Sequence, residues 1–161
     1  MPNELTCQRQ IASALLEKNE RTIHRWCKDG ILTVAGCNKQ GTPMFDIDAI
    51  LALCGDLKST DEEIVDLIVA ADTGSAEAQN DLGIVLLQAG RQAGALTLFT
   101  MAADQDYPDA MHFLYQCHQS GLGTEVNNTL AMMWLSKAAA HGHKIAQVQL
   151  DAIQKLVEQA L

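Results

Sequence analysis

Apolar residues return at helical spacing along most of the chain, and from residue 63 onward they return in copies. AEAQNDLGIVLL (76–87), PDAMHFLYQCHQ (108–119) and KIAQVQLDAIQK (144–155) align with Ala78, Ala110 and Ala146 in register. Leu82, Leu114 and Leu150 follow in register behind them. Between these run EIVDLIVAAD (63–72), ALTLFTMAAD (95–104) and AMMWLSKAAA (131–140). Here Leu67, Phe99 and Leu135 correspond, and each stretch carries an alanine pair near its end: Ala70-Ala71, Ala102-Ala103 and Ala138-Ala139. Equivalent alanines lie 32 and then 36 residues apart, the difference falling in the loop 121–131 as against 90–95. Small residues at fixed positions let antiparallel helices approach closely while large ones fill the grooves beside them. One pair cannot cover its own apolar face, so the copies are expected to stack into a solenoid.

The first sixty residues follow a different pattern. CQRQIASALLE (7–17) puts Ile11, Leu15 and Ala12 or Leu16 on one helical stripe. Lys18-Asn19 reads as a tight turn, with Asn19 as N-cap of a second helix from Glu20 that Gly30 ends in the left-handed conformation. ILTVAGCNKQGTPMF (31–45) reads as a hairpin, with Leu32 and Val34 pairing toward Met44 and Phe45. Asp46 then caps a third helix, IDAILALC, packing Ile47, Ile50, Leu51 and Cys54 on the first two. The polar cluster GDLKST (55–60) and the capping-box pattern Thr60-Asp61-Glu62-Glu63 mark the break. The chain therefore divides into units 1–57 and 58–161.

Each unit resembles a known family. The "A…LG" of Ala78, Leu82 and Gly83, and SGLGTEVNNTLAMMWLSKAA (120–139), with Gly121 and Gly123 in the turn, Ala131 and Trp134 on the following helix and Ala138-Ala139 at its end, resemble the Sel1-like repeats. Those are relatives of the tetratricopeptide repeat, and the resemblance covers roughly residues 61–158. In the first unit, Ala12, Thr22-Ile23, Arg25-Trp26, Gly30, Leu32, Phe45, Asp48 and Ile50 resemble the winged helix-turn-helix of the MerR-type and excisionase-like group, over residues 5 to 54. That resemblance implies a second helix laid in the major groove of double-stranded DNA and a hairpin wing over the neighbouring backbone. The DNA contacts it implies are Arg21, Thr22, His24, Arg25 and Lys28, with Lys39 on the wing. On a helical wheel Arg21, His24, Arg25 and Lys28 face out, while Ile23, Trp26 and Cys27 face in. Trp26 reads as a core anchor rather than a base-stacking platform. The wing carries only Lys39 as a cation, and Glu20 and Asp29 dilute the helix face, so specific occupancy calls for a homodimer or a partner protein.

Charge sharpens the division. Of 20 acids and 11 bases, residues 1–60 hold seven of each, so the whole net charge of −9 lies on residues 61–161. A surface of that sign repels nucleic acid and favours a basic protein partner; Asp61, Glu62, Glu63, Asp66, Asp72, Glu77, Asp81, Asp104, Asp106 and Asp109 are among its thirteen acids. Hydrophobic residues make up 48% and aromatics 4%, the balance of a mainly α fold. No apolar run has the length of a membrane helix and no secretory signal is readable. The five scattered cysteines show no CxxC pair and read as reduced thiols in a cytoplasmic protein. His141 and His143 about Gly142 do not converge as metal ligands, and the chain has no phosphate-cradling loop or catalytic triad pattern, so neither a cofactor nor an enzyme is expected. The leading expectation is a bacterial DNA-binding regulatory or accessory protein whose repeats bind a protein partner. The alternative is a protein-interaction adaptor whose winged unit no longer binds DNA.

Overall fold

The computed structural model of the chain describes residues 5–55, 57 and 62–160. Residues 58–61 of the expected unit boundary, and the Thr60-Asp61 half of the expected capping box, lie outside the described residues. Within them the order is β1 (Thr6–Gln8), α1 (Arg9–Leu16), α2 (Glu20–Lys28), β2 (Val34–Cys37), β3 (Pro43–Asp46) and α3 (Ile47–Cys54). Six further helices follow: α4 (Glu62–Asp72), α5 (Ala76–Gln88), α6 (Gln92–Ala103), α7 (Pro108–Ser120), α8 (Asn128–Ala140) and α9 (Lys144–Ala160). The fold is mainly α.

The turn chemistry of the first unit is written in its polar residues. Asn19 Oδ1 accepts from the Thr22 amide at 2.9 Å and starts α2. Gly30, at φ 73°, lets the chain reverse so that Ile31 N–H reaches Trp26 O at 2.9 Å. Asn38 closes the hairpin tip by accepting from the Gln40 and Thr42 amides, and Asp46 Oδ1 caps α3 through the Asp48 amide at 2.9 Å.

Two expectations need correction. The first helix begins at Arg9, not Cys7, because Thr6-Cys7-Gln8 pair antiparallel with β3, giving a three-stranded sheet in the order β1-β3-β2. Three residues are too few for an alternating pattern to be read. In the hairpin, Val34 does pair with Phe45, but Leu32 precedes the strand and is buried in the core. A bulge between Val34 and Gly36 then sets Gly36, rather than Ala35, against Met44.

In the helical unit, Ala71, Ala102, Ala138 and Ala146 are fully buried where neighbouring helices meet. Size is traded between copies. A Cβ on Gly83 would stand 2.7 Å from the Phe99 ring, so the glycine of α5 makes room for the phenylalanine of α6. Thirty-two and thirty-six residues on, at the equivalent places, Tyr115 stands for Gly83 and Leu135 for Phe99. The large residue has changed helices. Phe99 also stacks on Phe113 of α7, centroids 4.7 Å apart.

The two units share one continuous apolar core. Ile11, Leu15, Ile23, Phe45 and Leu51 belong to the same cluster as Ile68, Leu82, Phe99, Leu114 and Leu135. Polar contacts fasten the seam. Arg91, entering α6, donates to Leu15 O at 2.9 Å and to Cys54 O at 2.7 Å, satisfying carbonyls at the ends of α1 and α3. Glu17, left-handed at φ 51°, turns its carboxylate onto the Ala93 and Gly94 amides at 3.0 and 3.1 Å, where the α6 dipole favours a negative charge. Asp72 Oδ1 accepts from the Gln8 amide at 2.8 Å.

Candidate interaction surfaces

Two surfaces carry the charges singled out in the sequence. On α2, positions 21, 24, 25 and 28 fall within an arc of about 100° at 3.6 residues per turn. Arg21, His24, Arg25 and Lys28 are all exposed, and Ile23 is fully buried behind them. Trp26 is half-buried against the core, so Ile23 rather than Trp26 is the residue fully sealed inside. Thr22 is half-buried, and its amide is committed to Asn19. Lys39 is exposed at the hairpin tip, off the α2 stripe, while Glu20 is drawn toward Arg9 in an exposed pair at 3.5 Å that contributes little. The charges also suit the helix itself: Glu20 sits in its first turn, Arg25 and Lys28 in its last, as the macrodipole prefers.

The acidic surface lies on the repeats, where Glu77 and Asp81 of α5 and Asp109 of α7 are exposed. Burial raises the Tyr107 phenol pKa, and the charges of Asp109, Glu77 and Asp81 raise it further. Asp72 leaves this set. Its carboxylate is half-buried and bonded to Gln8, and burial raises its pKa against the pull of that hydrogen bond. Exposed apolar residues collect further along: Val126, Leu130, Met132 and Met133 at and before α8, and Ile145, Val148, Leu156 and Val157 on α9.

A third group joins α7 to the α8–α9 turn. His112 and His143 stack with centroids 4.3 Å apart, and His112 Nε2 lies 2.9 Å from Gln149 Oε1. His143 Nε2 stands 3.6 Å from Asp109 and His141 Nε2 3.8 Å from Asp106, while His143 Nδ1 accepts from the Ala146 amide at 3.1 Å. Among the described residues no three His, Cys, Asp or Glu side chains gather as a metal site. No helix there is long and apolar enough to cross a membrane.

Residues 76–107 and 108–143 match the Sel1 repeat. The match falls on two consecutive stretches of the helical unit. Their lengths of 32 and 36 residues are the two spacings between equivalent alanines, and α4 and α9 continue the alternation on either side. The fold is similar to that of a solved structure, a Sel1 repeat protein from Oxalobacter formigenes. The two are 22% identical, with a TM-score of 0.53 over 88% of this chain and 43% of that one. The chain thus spans less than half the length of that neighbour. No curated protein is a significant match.

The residues that sequence reasoning missed are those of the seam: Glu17, Arg91 and Gly94. One signal was present. Arg91 is one of only four bases in residues 61–161 and stands at the start of a helix, where a cation is disfavoured unless it has another task.

Proposed function

We propose that the chain is a non-catalytic, cytoplasmic adaptor whose Sel1 repeats bind a protein partner bearing a basic segment. The observation that carries this reading is the pair of matched repeats with Glu77, Asp81 and Asp109 exposed on α5 and α7. Two stacked helical pairs make an extended surface, and charge of one sign there speeds and selects encounter with the opposite sign. The test is affinity capture with the full chain. A bait with Glu77→Lys and Asp81→Lys loses the partner that the unchanged chain retains, while one with Arg21→Ala, Arg25→Ala and Lys28→Ala keeps it. The reverse pattern refutes the adaptor reading.

A second reading rests on the exposed stripe of α2. It takes the strand, helix pair, hairpin and helix of residues 6–54 as a winged helix-turn-helix; what supports it is that four cationic or titratable side chains share the outer arc of α2. In that reading Arg21, His24, Arg25 and Lys28 contact double-stranded DNA, Lys39 touches the backbone from the wing, and Thr22 supports the helix start. With three to five phosphates per copy the salt slope is about −3 to −5. Titration of labelled mixed-sequence duplex at two salt concentrations decides it. Binding that weakens with salt and is lost in the Arg21, Arg25 and Lys28 triple variant supports DNA contact; no binding at low salt excludes it.

A further inference from the structure

We propose that the stacked pair His112–His143 is an acid-sensitive latch that holds α9 on the rest of the repeat stack and releases it on protonation. The geometry requires a neutral ring at position 143. His143 precedes the first residue of α9, and its Nδ1 accepts from the Ala146 amide, one of the helix's unpaired first-turn donors. A nitrogen that accepts a hydrogen bond carries no proton, so the ring's own proton sits on Nε2, toward Asp109 Oδ1 at 3.6 Å. Protonating Nδ1 removes the cap and turns the acceptor into a second donor aimed at the Ala146 N–H. It also creates a cation whose ring centroid is 4.3 Å from that of His112, itself 8% exposed and held by Gln149 of α9.

The surroundings weigh against charge. From α7, Asp109 and His112 face His143, with the Tyr115 ring 5.7 Å from that of His112. On the same turn His141 is 3.8 Å from Asp106, and Lys144 begins α9. Burial lowers the His143 pKa most, His112 lowers it further, and Asp109 opposes them without reversing the result. The sign follows. With the folded value below the usual one of about 6.5, the latch contributes fully above pH 6.5. Its contribution is lost as pH falls from there through the folded value. Release would uncover Ala146, now fully buried, and the α8 surface near Ala139, whose carbonyl accepts from Gln147 Nε2 at 3.0 Å.

Hydrogen exchange of the full chain tests this, with rates corrected for the intrinsic effect of pH and compared between pH 7.5 and 5.5. The α9 amides are expected to hold their protection down to about pH 6.5 and then to open up to about tenfold more by pH 5.5, while those of α5 hold theirs throughout. His143→Asn caps the helix without titrating. Loss of the α9 response in that variant supports the latch. Protection of α9 that follows α5 across the range overturns it, as does a wild-type response kept in His143→Asn.

Discussion

Gly94 has no side chain because there is nowhere to put one: a Cβ there would run into the Ala14 carbonyl of α1 and crowd Leu86. Gly94→Ala is therefore expected to lower stability by about 1–3 kcal/mol in urea unfolding. Gly36→Ala has open space and an ordinary backbone angle, and should change it little. Arg91→Met tests the other side of the seam. It strips a charged donor from the carbonyls of Leu15 and Cys54 and should cost about 2–3 kcal/mol. These roles were not legible in the sequence, because a glycine in a first turn or a lone arginine shows its purpose only once a distant backbone is beside it. Local chemistry was legible: Asn19, Gly30 and Asp46 act within a few residues, and each does what its type and place imply.

At the scale of elements, the six repeat helices begin and end close to where the alanine register puts them, since that register is the record of helices in contact. The hairpin was legible through Val34 and Phe45 but not its bulge, and β1 escaped because its pairing with β3 spans nearly forty residues. Placement on elements also sorts the thiols. Cys7 on β1 and Cys117 on α7 are buried, and desolvation raises both, Cys117 to about 11 and Cys7 further. Cys37 is exposed on β2. Native protein at pH 8 should label first at Cys37, with Cys7 and Cys117 reacting only after denaturation. Early labelling of Cys117 would mean that α7 is less sealed than its contacts imply.

For the molecule as a whole, charge asymmetry suggested two units with separate partners, and the structure adds a shared core and a seam of charged hydrogen bonds between them. The cationic arc of α2 and the exposed acids of α5 and α7 are then held on one body. The seam was hidden because partners such as Leu15 and Arg91, or Glu17 and Ala93, lie 76 residues apart in the chain, and only Arg91 stood out in its own segment. Two tryptophans, Trp26 on α2 and Trp134 on α8, allow a direct test. Trp26→Phe and Trp134→Phe leave one reporter in each unit, and urea unfolding is followed by the fluorescence of the other. A single joint fold predicts the same midpoint from both reporters, and an equal downward shift of both when Arg91→Met is added. Separate midpoints, with Arg91→Met moving only one, would contradict it.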